Sequence, residues 1–207
     1  SGTTYFKPTA EYPVFRVATS SLVGANSATI IYGFLEVNSG ITLTIQNSGN
    51  RTIRDGFGGN GNINLTGGTI LVSGTDLATT RIAGSGTLTL SNTSTNVQLL
   101  NAAQVSLNSN YVVNGSGLAF TVNSGAWLNC GTNILSGSAN FVLASGGRLG
   151  IGSTAGITSS GTSGNIQTTG RSFNSAADYL YNGTANQVTG GFTTTPTAST
   201  VNSLTIA

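Results

Sequence analysis

Along most of this chain apolar residues recur at every second position in short runs, and the runs are separated by turns in which Ser, Gly and Asn concentrate. A period of two sends successive side chains to opposite sides of an extended backbone, so each run predicts a β-strand with one buried face. The pattern is clearest from Phe120 to Gly152. There Phe120-Thr-Val-Asn-Ser-Gly-Ala-Trp-Leu-Asn-Cys-Gly131 is followed by Phe141-Val-Leu-Ala-Ser-Gly-Gly-Arg-Leu-Gly-Ile-Gly152, with Gly125 and Gly146 at matching turns. In the two copies Phe120, Val122, Leu128 and Cys130, and likewise Phe141, Leu143, Leu149 and Ile151, fall on one face. One such unit is too short to bury its apolar face alone, whereas copies stacked at the ~4.8 Å spacing of neighbouring strands share a continuous core. The prediction is an all-β, irregular, single-domain β-solenoid, parallel β-helix-like, with coils of about 21 residues.

Other segments extend the pattern. Leu35 to Gln46 superposes on the Phe120 copy with Gly40 at the turn, and Ile63 to Val72 is a looser copy around Gly68. Gly86 to Leu90 and Val105 to Val113 continue it, with Asn110 where Gly stands elsewhere. The markers at 40, 68, 86, 110, 125 and 146 are unevenly spaced, so coil length is expected to vary. Tyr5 to Val17 carries Pro8 and Pro13, which cannot donate to a ladder, and residues 1–28 therefore read as a capping or edge segment before repeats spanning 29–207. Residues 152–170 are rich in Ser, Thr and Gly, a composition open to a linker, although Ile157 and Ile166 keep an apolar beat. Ala177 to Gly183 predicts a strand ending in an Asn-Gly turn, and order continues through Gln187 to Gly190. Thr200 to Ala207 predicts a last strand with nothing to blunt its edge, and the repeats are expected to continue beyond residue 207 in a parent protein.

Composition sharpens this reading. Charged residues make up only 6% and there are 30 glycines, while the apolar share of 38% suffices for a core; disorder generally needs the opposite balance. A net charge of +2 from scattered cations forms no basic patch, so nucleic acid is not an expected partner. No run of apolar residues is long enough for a membrane-spanning helix, and no membrane insertion is expected. The chain contains no methionine, which fits a processed piece or an internal segment.

The string Phe141 to Gly152, then Gly156-Ile-Thr, Gly164-Asn-Ile-Gln, Phe173, Tyr179-Leu-Tyr-Asn-Gly183, Gln187-Val-Thr-Gly190 and Thr200-Val-Asn-Ser-Leu-Thr-Ile resembles the β-strand repeat modules of very large Bacteroidota cell-surface proteins. These are exported by type IX secretion and include gliding and adhesion proteins. The resemblance covers roughly the last 90 residues well and the first 110 only through the shared Ser-Gly beat. It implies an extracellular, cell-surface module, and nothing here matches the family's separate C-terminal export domain.

Candidate chemistry is sparse. Without histidine and with one cysteine, Cys130, the usual catalytic triads, Cys/His pairs and metal sites cannot be assembled, so neither metal nor cofactor is expected. Cys130 matches Ile151 and Ile45 in other copies and reads as a buried structural thiol. Acid/base work would fall to Glu11, Glu36, Asp55, Asp76 and Asp178. Counted from their turn glycines, Asp55 and Asp76 fall at different places on the coil, which argues against a paired-carboxylate site. Asp55-Gly-Phe-Gly-Gly-Asn-Gly-Asn-Ile63 approaches a calcium-binding nonapeptide but puts Ile63 where the ligand Asp belongs, and reads as a glycine turn.

Three aromatic residues are candidate binding residues. Alternation turns Trp127 outward, where an indole stacks on a sugar or anchors a protein partner, or packs over its neighbours. Tyr179 and Tyr181 share one face of their strand, as a sugar platform or as core or interface packing. Thr42-Leu-Thr44 and Thr87-Leu-Thr89 invite an ice-binding reading, but the turn alignment continues the Thr42 column through Ile70, Trp127 and Arg148, which breaks the plane. The expectation is a non-catalytic structural or adhesive solenoid module, a spacer or stalk of a large surface protein or filament. Its expected partners are neighbouring modules of the same chain or end-to-end copies of itself, and possible surface glycans. The alternatives are a carbohydrate-binding or polysaccharide-processing solenoid and, less favoured, an ice-binding one.

Overall fold

The computed structural model describes residues 11–24, 29–46, 49–190 and 203–207. Within them twenty strands, all in parallel pairing and with no helix between them, wind into a solenoid of about seven turns of about 24 residues each. One coil shows the plan. Thr87–Leu90, Asn96–Leu99 and Gln104–Leu107 are separated by polar corners, and each pairs with one strand of the preceding coil and one of the following coil. Alternation sends Leu88, Leu90, Val97, Leu99, Val105 and Leu107 inward, and all six are buried. Each coil thus has three faces, called first, second and third in chain order.

Inward residues stack in columns from coil to coil. The first face aligns Leu43, Ile63, Leu88 and Val113. The second aligns Ile53, Val72, Leu99, Val122 and Leu143. On the third, Leu35, Phe57, Ile82 and Leu107 run in register, and farther along Ile151, Tyr181 and Ile206 do the same. Burying each such side chain contributes about 1.5–3 kcal/mol.

The two copies around Phe120 and Phe141 stack directly, Phe120 on Phe141 and Leu128 on Leu149, so their spacing is one coil. Elsewhere the coil is shorter or longer: Leu43 meets Ile63, Ile63 meets Leu88, and Leu149 meets Tyr179. The turn markers account for the uneven spacing, because they occupy different corners. Gly40, Gly86 and Asn110 precede first-face strands, Gly68 precedes a second-face strand, and Gly125 and Gly146 precede third-face strands. The Leu35 to Gln46 segment therefore does not superpose on the Phe120 copy, and Thr42 does not share a column with Ile70, Trp127 or Arg148. Its register partner is Asn62.

The Ser/Thr/Gly-rich stretch after Gly152 is a corner insert folded back on the core. Ile157 and Ile166 are buried, and the buried Asn165 side-chain amide donates to the carbonyls of Gly131 (2.8 Å) and Asn133 (2.7 Å) while its oxygen accepts from the Ser153 N–H (3.0 Å). The two bonds to Gly131 and Asn133 stitch the loop to the coil before it, which a linker would not allow. Gln187 acts similarly, donating to the carbonyls of Ile151 and Ser153 and accepting from the Gly183 N–H.

At the ends, Glu11–Val17 pairs with the second half of Thr29–Val37, and its register shifts between Glu11 and Val14, where Pro13 interrupts the donors. Residues 1–10 and 25–28 of the expected capping segment lie outside the described residues. Ser203–Ile206 pairs with Asp178–Tyr181, in the region where a final strand is expected; residues 200–202 lie outside the described residues.

Candidate functional site

Trp127 points outward from the third face, in register with Gln104 on one side and Arg148 on the other. The Arg148 guanidinium carbon stands 4.5 Å from the indole centroid, a stack worth about 0.5–1 kcal/mol at a partly exposed site. The ring is half-buried, and its Nε1 is enclosed without a hydrogen-bond acceptor. A guanidinium covers one ring face that a sugar would need.

Tyr179 and Tyr181 both point into the core, 1% and 3% exposed. Their hydroxyls donate to the carbonyls of Asn174 (2.7 Å) and Thr189, so each phenol pegs a neighbouring segment to the coil. Burial pushes the Tyr181 hydroxyl up to about 12, and burial together with the nearby Tyr181 raises Tyr179 as well. No ring face of either is open to a ligand. Cys130 is fully buried and its thiol is pushed up to about 12 by burial, which matches the structural reading and leaves no thiolate at neutral pH.

Glu36, Asp55, Asp76 and Asp178 are each engaged in separate contacts. Glu36 pairs with Arg16 at 3.0 Å on the exposed third face, and Asp178 follows Arg148 in the same third-face column. Asp55 and Asp76 occupy the same corner, between the second and third faces of successive coils, contrary to the places inferred from their turn glycines. Gly40 and Gly68 precede different faces, so distances from these two glycines do not mark equivalent places on the coil. The two carboxylates still have separate tasks. Asp55 lies beside Arg54 at 3.9 Å, and Asp76 accepts the Ala78 N–H at 2.8 Å while its own carbonyl accepts from Thr79 and Thr80, closing a tight turn. Among the described residues no three of His, Cys, Asp or Glu come together. In the glycine-rich stretch after Asp55, Phe57 and Ile63 fill the core, and Gly56–Gly59 is a third-face strand rather than a turn.

The first face carries a regular feature. Its outward positions form two parallel columns. One runs Thr44, Asn64, Thr89 and Asn114, and Ser138 continues it by donating its N–H to Asn114 Oδ1 at 3.3 Å. The other runs from Thr42 to Asn62, then through Thr87, Val112, Ser136 and Gln167. The rows are tied together: Thr87 donates its N–H (3.2 Å) and hydroxyl (2.9 Å) to Asn62 Oδ1, and Ser91 donates its hydroxyl to Asn64 Oδ1 at 2.7 Å. The sequence signal lies in the triplets Thr42-Leu-Thr44, Asn62-Ile-Asn64, Thr87-Leu-Thr89 and Ser136-Gly-Ser138, polar on both sides of an inward residue. Asn and Ser extend the pattern beyond the two threonine pairs.

Comparison of the chain with family models, curated proteins and solved structures finds no match.

Proposed function

We propose that this chain is a non-catalytic structural and adhesive module of an extracellular surface protein, a stacked spacer that joins further modules along its axis. The observation that carries this reading is the open last rung of the core. Leu204 and Ile206 occupy inward columns above Tyr179 and Tyr181, yet they are 48% and 76% exposed. An apolar rung exposed in this way, its outer edge without a partner strand among the described residues, offers pairing to a neighbouring module of the same chain or to an end-to-end copy. The separate engagements of Asp55 with Arg54 and of Asp76 with its own turn, and the enclosure of Tyr179, Tyr181 and Cys130, support a role in carrying load and presenting surface rather than in turnover.

The test is retention without turnover. Beads coated with the folded chain should be held on polysaccharide-coated surfaces under flow, and a panel of soluble polysaccharides should remain uncleaved. Release of product that is abolished by Asp55→Asn or Asp76→Asn, with the fold intact by circular dichroism, overturns the reading. So does failure of coated beads to be retained on any surface in the panel.

A further inference from the structure

From the two polar columns of the first face we propose that this face adsorbs to ice, independently of the module's role as a spacer. Three observations carry the inference. The first is lattice regularity: neighbouring rows are one strand apart, ~4.8 Å, and the two columns are two residues apart along the strand, ~6.7 Å, so the hydroxyl and amide groups form a two-dimensional grid. These repeats are of the same order as the oxygen–oxygen repeats on the faces of an ice crystal. The second is charge. None of the strands Thr42–Gln46, Asn62–Leu65, Thr87–Leu90 and Tyr111–Asn114 carries a charged residue, whereas the third face carries Arg16, Glu36, Arg81, Arg148 and Asp178. An uncharged grid complements the uncharged lattice of donors and acceptors that ice presents. The third is rigidity. Thr is restricted at χ1, and the bonds from Thr87 to Asn62 and from Ser91 to Asn64 hold the amides in place.

Rigidity matters because one hydrogen bond to water gains nothing when it replaces another. Many contacts made in register by groups that lose no further freedom give net adsorption to a crystal while leaving liquid water unbound. The methyl groups of Thr42, Thr44, Thr87 and Thr89 and the side chain of Val112 supply apolar patches between the polar atoms. Aromatic stacking is the usual means of holding a flat sugar lattice, and the described first-face strands offer no outward aromatic ring: Tyr111 is buried. Ice therefore fits the grid better than a crystalline polysaccharide.

The experiment is partitioning of the intact chain, carrying a fluorescent label, into a slowly growing ice hemisphere, alongside measurement of thermal hysteresis. The wild type should enter the ice. Thr89→Tyr, in the middle of the grid, and Thr42→Tyr, at its exposed rim, should be excluded, while Thr121→Tyr on the outward side of the second face should enter like the wild type. Circular dichroism and melting of each variant show that it is folded, and Thr42→Tyr decides the matter if Thr89→Tyr is not. Exclusion of the wild type overturns the proposal. It is equally overturned if Thr42→Tyr still enters the ice, or if Thr121→Tyr is excluded to the same extent. Binding of the wild type to microcrystalline cellulose that is lost in Thr42→Tyr, without entry into ice, assigns the grid to polysaccharide and also overturns it.

Discussion

Gly56 lies directly against the Arg81 carbonyl of the next coil: a Cβ built on it would stand 1.9 Å from that oxygen. Its φ of +89° adds a backbone conformation that L side chains avoid. The bare Cα is also what lets the Arg81 side chain cross over to Phe34, where its guanidinium carbon sits 4.2 Å from the ring centroid.

Gly56→Ala should therefore destabilise the solenoid by about 2–5 kcal/mol, combining left-handed backbone strain with a clash against main chain that cannot move away. Gly117, with φ of +77° and nothing within 4 Å of the added carbon, supplies the comparison. Gly117→Ala should cost only the backbone strain, about 1–2 kcal/mol. Urea unfolding of the two variants checks this, and equal losses would show that the close approach to Arg81 is relieved at no cost.

Phe120 and Phe141 stack between adjacent coils with centroids 6.4 Å apart and rings 18° from parallel, and Phe173 continues the pile 5.7 Å from Phe141. Phe141→Ala should cost about 3–5 kcal/mol, as for a fully buried aromatic residue. Because each ring packs on its neighbour, Phe120→Ala and Phe141→Ala combined should depart from the sum of the single losses, which a double-mutant cycle in urea measures.

Alkaline pH should unfold the chain in a defined window. The Cys130 thiol goes from an ordinary value of 9.0 to about 12, and the Tyr181 hydroxyl from 10.0 to about 12, in both cases through burial. Burial favours the neutral forms, so their contribution to stability is complete below about pH 9 and is lost as the pH rises towards 12. Cys130→Ala should flatten the alkaline limb of stability against pH, while below pH 8 the same variant shows only the loss of packing. Thiol-specific labelling at pH 8 should be slow in the folded chain and fast in denaturant.

The single tryptophan makes its stack with Arg148 visible. Arg148→Ala should uncover one face of the indole, shift its emission to the red and raise quenching by acrylamide, with a stability loss of about 0.5–1 kcal/mol. Emission unchanged in Arg148→Ala would mean that the guanidinium does not shield the ring in solution.

What the sequence disclosed follows from what is local. Alternation alone turns Phe120, Val122, Leu128 and Cys130 inward and Trp127 outward, and it puts Tyr179 and Tyr181 on one side; each of these orientations is found. The Phe120 and Phe141 copies could be aligned because both begin on the second face and turn the same corner. The Thr42 column could not. A Ser-Gly or Gly-Gly turn has the same local chemistry at every corner, so Gly40, Gly68 and Gly125 look alike in sequence although each leads to a different face. Which strand lies over Thr42 is decided by the number of corners between them, a nonlocal quantity that corner inserts such as residues 152–165 conceal.

The parallel ladder also fixes how the molecule answers a pull on its two ends. The hydrogen bonds between coils run along the solenoid axis, so tension opens them one after another at the exposed rung instead of shearing them together. The coil from Ile63 to Leu88 occupies ~4.8 Å of axis when stacked and spans on the order of 80 Å when drawn out. Each coil thus stores a length of chain more than ten times its own thickness, to be released in separate steps, and such a chain yields under load without letting go.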